Sequence, residues 1–255
     1  MRFVSRCRTL LTCNVNAWRY GITYGRAKTF KMPKYLVLDG DRVCLSLPTE
    51  SGVTVAFLDI FLHDVYGLAR LRHCGVRTVL DIGANVGLFS LAARSFFSKA
   101  RIHAYEPNPR LAVFLKQQAE VGKYQIFPEA VGASPGMVRM DDHEDSVLGM
   151  VSNDPAGIIK KIAFRSVIER LDRVGEVDLL KMDCEGGEWE ILQDADSLKR
   201  VRFIRAEYHL MGRYTHDDFV EKLVGLGFRI EKQIKTPTDG IVWANNQKIA
   251  RRREA

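Results

Sequence analysis

Four acidic residues close apolar runs in this chain. Asp81 follows Val79-Leu80, Glu106 follows Ala104-Tyr105, Asp183 follows Leu179-Leu180-Lys181-Met182, and Glu207 follows Phe203-Ile204-Arg205-Ala206. Apolar runs of that length read as buried strands. Carboxylates gathered at the carboxyl ends of such strands suit polyhydroxyl groups, ammonium or sulfonium cations, or a metal. Scattered, solvated strand-end acids are the alternative, and they would need four coincidences.

Glycines sharpen the pattern. Asp81 leads into Gly83, Ala84, Asn85 and Gly87, and then into an apolar-periodic segment from Val86 to Phe97. This is a strand, a tight turn and a helix, a turn that brings backbone N–H groups to a ligand at a helix start. Asn85 stands where the dinucleotide-binding fingerprint has its middle glycine. A pyrophosphate pressed on the turn is therefore disfavoured. A smaller group fits, such as the aminocarboxypropyl end of S-adenosylmethionine (SAM). A structural turn without a ligand is the competing reading. Glu106, followed by Pro107 and Asn108, ends the next strand about 20 residues after the turn, where an acid accepts hydrogen bonds from both ribose hydroxyls.

Asp183 opens Cys184-Glu185-Gly186-Gly187-Glu188, a second strand–acid–glycine–helix unit. Asp183, Glu185 and His209 are the candidate proton acceptors, His209 having the most suitable ordinary pKa, about 6.5. Glu185 also reads as a helix-start acid stabilised by the dipole, and His209 as a polar residue after a strand. Two of Asp183, Glu185 and Glu207 would alternatively hold Mg²⁺ against a substrate diol. His63, Asp64 and His73 lack a third ligand at suitable spacing, so no metal is expected there.

These residues need a particular framework. Strands are predicted at 77–82, 101–106, 177–183 and 201–207, with helices at 86–97, 109–120, 164–174, 189–193 and 216–225. Residues 124–127 and 129–131 supply a third strand region, and 228–234 with 240–244 a terminal hairpin. The alternation predicts an α/β, doubly wound, mostly parallel sheet. Before it, Asp39-Gly40 joins two short strands within 35–47, and 53–72 reads as helix with a break near His63-Asp64. Residues 132–160 are turn-rich, with short strands at 137–140 and 147–151. The domains expected are a basic extension over 1–55 and a main domain over 56–250.

The chain has 255 residues, 46% of them hydrophobic, which suits one such domain with an extension. No run of about 18 apolar residues predicts a transmembrane helix. Five cysteines, odd in number and without C-x-x-C spacing, argue against a disulfide framework and a zinc site. They suit reduced thiols in a cytoplasmic protein. The net charge of +7 gathers at the ends: eight basic residues precede the first acid, Asp39, and Arg251-Arg252-Arg253 lie near the other end. No specific nucleic-acid partner follows from a near-neutral core, though weak contact of the termini with a membrane surface does. The Arg-rich start also has the composition of a mitochondrial transit peptide; a helical extension that packs on the domain or touches substrate is preferred.

Three segments together resemble the FkbM family of SAM-dependent methyltransferases: Val79 to Ser90, Ala104 to Pro109, and Asp178 to Glu188 with its Asp-x-Glu-Gly. The resemblance runs over roughly 57–210. It implies a Rossmann-like class I sheet of seven strands, SAM as methyl donor, and O-methylation of a sugar, glycolipid or other small-molecule hydroxyl. It implies that Gly83, Ala84, Asn85 and Gly87 cradle the methionine part, with Asp81 near its amino group. Glu106, beside Pro107 and Asn108, would hold the ribose. Ala130, within the 129–131 segment, would lie near adenine, and Asp183 beside the transferred methyl group with Glu185 close by. Two further readings stay open: an NAD-type oxidoreductase on the same sheet, and a non-catalytic nucleoside-binding protein with basic termini.

Overall fold

The computed structural model describes residues 12–25, 30–141, 149, 151–173 and 175–249. A first helix, α1, covers 12–19. Strands β1 (Tyr35–Leu38) and β2 (Asp41–Cys44) form the expected hairpin, its Asp39-Gly40 turn having φ of 51° and 89°. The predicted 53–72 helix divides as expected near His63. It becomes α2 (Ser51–Phe57), a π-helical turn (Leu58–Leu62) and α3 (Leu68–Leu71). Asp64 accepts from the Leu68 and Ala69 amides at the head of α3, and His63 pairs with Asp59.

The central sheet follows from its composition. β3 (Thr78–Ile82) and β10 (Val177–Met182) are buried along their whole lengths, as strands covered on both faces must be. Between them come α4 (Leu88–Phe96), β4 (Arg101–Tyr105), α5 (Ala112–Gly122), β5 (Gln125–Phe127), β6 (Ala130–Gly132), β7 (Gly136–Met140), β8 (Val151–Asn153), β9 (Ile159–Ala163) and α6 (Phe164–Leu171). After β10 come α7 (Glu188–Ile191), α8 (Ala195–Leu198), β11 (Val201–His209), α9 (His216–Gly225), β12 (Phe228–Lys235) and β13 (Asp239–Asn246). The sheet order is β12-β13-β11-β10-β3-β4-β5, parallel except where β13 runs antiparallel to β11 and β12. The order reverses between β3 and β10, so the ligand crevice lies at their carboxyl ends. The chain has the expected class I, Rossmann-like α/β architecture.

Several boundaries moved for physical reasons. Helix α4 begins at Leu88, not Val86, because Asn85 and Gly87 adopt positive φ of 50° and 84°. The 129–131 strand does not extend the central sheet: β6 pairs with β9 in a separate four-stranded sheet, β6-β9-β7-β8. Strand β9 was not expected, since Lys160 and Lys161 break its apolar pattern. Lys161 is nonetheless buried against Glu190 at 2.9 Å. β11 continues to His209 because β13 pairs with it from Phe203 to His209. Most of the predicted 147–151 strand lies outside the described residues. The extension shares the core of the sheet: Cys13, Ala17, Tyr20 and Leu36 belong to one buried cluster with Phe89 and Leu179.

Candidate active site

The Gly83 turn is fixed by what surrounds it. Its φ is +74°, and a Cβ there would sit 1.6 Å from the Asp183 carbonyl oxygen. The two strand-end turns therefore touch, and only glycine permits the contact. The Gly83 and Ala84 amides donate to the Tyr105 carbonyl at 3.0 Å, tying the turn to β4. Gly87 is packed against Tyr124, whose hydroxyl a Cβ would meet at 2.2 Å.

Glu106 closes the far side. Its Oε2 accepts from the Asn85 amide and its Oε1 from the Asn108 amide, each at 2.8 Å. Asn108 itself caps the short 3₁₀ turn Pro109–Leu111. Each carboxylate oxygen keeps a lone pair for a ribose hydroxyl. Burial pushes Glu106 up to about 7, against the pull of the Asn108 and Asn85 amides.

Asp81 is completely buried beneath the turn. Ser90 donates to its Oδ2 at 2.7 Å, and Lys181 Nζ lies 3.3 Å from its Oδ1. Lys181, absent from the sequence expectations, is the centre of the arrangement. Its ammonium donates to the Gly83 carbonyl at 2.5 Å and stands 3.6 Å from Asp183 Oδ2. Burial disfavours that charge, yet Asp81 and Asp183 hold it protonated beyond the ordinary lysine range. A lysine near the end of a strand that reads as buried was the available signal, since such a charge must be paired.

Asp183 and Glu207 come together under Tyr66. The Tyr66 hydroxyl lies 3.1 Å from Asp183 Oδ2 and 3.4 Å from Glu207 Oε2. The charge of Asp183, and then burial, raise Glu207 to about 8. On the other side, His209 Nε2 is 3.3 Å from Glu185 Oε2, and its Nδ1 faces the fully buried Glu188 at 3.8 Å. Burial opposes charge on His209, but Glu188, Glu185 and Asp183 together raise it to about 10. Burial, partly offset by His209, raises Glu185 to about 7. Glu188 accepts from the Cys184 and Gly186 amides at 2.6 and 2.9 Å, holding the 183–187 turn in shape. An acid one residue after a glycine pair, at a helix start, was a readable sign of that role.

Asp183, Glu185 and His209 offer three ligand atoms within 4.8 Å of one another, the spacing of a divalent-ion site. Gly83, Ala84, Asn85, Glu106, Pro107, Ala130, Asp183 and Glu185 all line one open cleft with about 890 Å³ of empty space. Ala56 and Ile60, from α2 and the π-helical turn, supply an additional apolar wall.

A model of the family described as "Methyltransferase FkbM domain" matches residues 81–230. Among curated proteins, AMB antimetabolite synthetase AmbE of Pseudomonas aeruginosa is 28% identical over 60% of this chain, and the match spans 9% of that protein. Among solved structures, magnesium protoporphyrin IX methyltransferase of Synechocystis PCC 6803 with bound SAM is similar over 79% of this chain and 87% of its own, with 13% identity and a TM-score of 0.48. Precorrin-6y C5,15-methyltransferase of Geobacter metallireducens is similar over 72% and 86%, with 20% identity and a TM-score of 0.45.

Proposed function

The chain belongs to the FkbM family of SAM-dependent methyltransferases, and from that premise we propose that it methylates a hydroxyl oxygen on a sugar, glycolipid or other small acceptor. The observation that carries the reading is the contact between the two turns. The Gly83 turn and the Asp183 carboxylate open on one cleft, so a donor cradled by the first presents its reactive end beside the second.

SAM supplies an electrophilic methyl group on a sulfonium. Glu106 would hold the ribose and the Gly83–Gly87 turn the methionine part, while buried Asp81, paired with Lys181, would anchor that turn from beneath. The acceptor hydroxyl would lie against Asp183, which would take its proton as the carbon–oxygen bond forms and the carbon–sulfur bond breaks to release S-adenosylhomocysteine. Holding oxygen, carbon and sulfur in line supplies several kcal/mol of the acceleration. His209, held protonated by its three carboxylates, balances charge at the mouth. A Mg²⁺ ion held by the Asp183 and Glu185 carboxylates would instead bind acceptor oxygens. Chelation then removes turnover while leaving affinity for the nucleoside unchanged.

Calorimetric titration with SAM, its product S-adenosylhomocysteine and NAD tests the reading. Micromolar binding of the sulfur nucleosides without NAD binding is the expected result, followed by a turnover screen over glycans and glycolipids. A folded sample that binds neither sulfur nucleoside sinks the proposal.

Glu106 adds a pH signature. Its carboxylate must be charged to accept from ribose while both backbone amides point at it. Its pKa without ligand is raised to about 7, so below that pH binding must expel a proton. Affinity for S-adenosylhomocysteine falls as pH drops from about 8 to about 6, by about tenfold per unit once well below the pKa. Glu106→Ala abolishes binding; retained affinity refutes the ribose role.

A further inference from the structure

The extension carries a surface that methyl transfer leaves unexplained. On α1, Cys13, Ala17 and Tyr20 are buried, while Val15 and Trp18 are 65% and 83% exposed on the other side. The remaining tryptophans, Trp189 and Trp243, are buried and donate to backbone carbonyls. Trp18 and Val15, one turn apart on the outer face, give the helix a small apolar patch of the kind that an interaction surface uses.

The surroundings indicate the cover. Tyr20, at the end of α1, accepts from the Val37 amide, which docks the β1–β2 hairpin against the helix. A shallow concavity at this junction is lined by Lys31, Lys34 and Arg42 together with Tyr35, and by no acidic residue. Lys31, Lys34 and Arg42 are exposed, and Arg42 stacks on the half-exposed Tyr35 ring at 4.1 Å. The first 38 residues hold eight basic side chains and no acid. Exposed tryptophan and valine on a helix docked to a hairpin that exposes three cations against Asp39 and Asp41 suit the boundary of an anionic bilayer, where the ring enters the headgroup layer and the cations meet phosphate. Nucleic acid would match the charge but would leave Val15 unused.

We propose that α1 and the hairpin form a docking surface for an anionic lipid bilayer. No helix among the described residues is long and apolar enough to cross one, so the attachment is peripheral. The docking surface does not rest on the methyl-transfer reading.

The full chain is mixed with vesicles of phosphatidylcholine alone, and of phosphatidylcholine with phosphatidylglycerol in equal parts. Binding is followed by sedimentation and tryptophan emission. Salt-sensitive binding to the anionic vesicles alone, with a blue shift of the emission, is expected. Trp18→Ala removes the shift, and because the ring is exposed the variant folds. Reversing Lys31 and Lys34 to Glu weakens partitioning by roughly tenfold or more. Failure to bind anionic vesicles at low salt, equal binding to both compositions, or preference for duplex DNA without an emission change each overturns the proposal. S-adenosylhomocysteine titration of the same samples without lipid shows whether the cofactor site stands independently.

Discussion

Lys181→Met lowers the stability of the protein by about 3–5 kcal/mol, because it leaves a buried carboxylate without its counter-charge. The two side chains are similar in length and volume, so packing survives and the loss is electrostatic. Asp81 is wholly buried, and apart from Lys181 its described polar contact is the Ser90 hydroxyl. The Gly83 carbonyl loses its ammonium donor at the same moment. Lys181 and Asp81 lie side by side in the β10–β3 register, so nothing mobile can replace the charge. Urea unfolding measures the loss, and S-adenosylhomocysteine binding should vanish with it because the turn is no longer anchored. Adding Asp81→Asn should recover part of the stability, since contacting residues couple by about 0.5–3 kcal/mol. A single variant that loses less than about 1 kcal/mol would mean that Asp81 is buried at little cost.

Lys181 also marks where sequence reasoning stops. The β3 turn was legible because its signal is local: an apolar strand, an acid and two glycines in order. Glu106 was legible for the same reason, ending the next strand before a proline-marked turn. Asp183 stood out because its segment repeats that design. The sheet followed from the alternation of strands and helices, with its reversal between β3 and β10.

The contacts that connect these turns come from distant parts of the chain. Tyr66 meets Asp183 across 117 positions, and no spacing rule links a tyrosine in a helical break to a strand end. Lys181 faces Asp81 only once β10 lies against β3. Strand β9 was hidden because Lys160 and Lys161 look solvated. In the fold, Lys160 does stay exposed as it reaches Glu129, but Lys161 is buried against Glu190. Tertiary pairing outweighed local pattern there, as it does at most buried charges.

The chemistry itself turns on Asp183. Asp183→Asn should lower turnover by about 10²–10⁴-fold, the usual contribution of a positioned base, while changing the SAM dissociation constant little. Asparagine keeps the shape and the contact with Tyr66 but cannot take a proton. His209→Gln should cost far less. At neutral pH the imidazole, raised to about 10, already holds its proton and has no lone pair to offer. Glu207, raised to about 8, is likewise mostly protonated at neutral pH and lies behind the Tyr66 hydroxyl. Glu207→Gln should therefore alter the pH profile more than the maximal rate. Single-turnover assays with the acceptor found by screening separate these roles from product release. A Asp183→Asn enzyme at full speed, beside a His209→Gln enzyme that is inactive yet binds SAM normally, would transfer the proton-accepting role to the histidine.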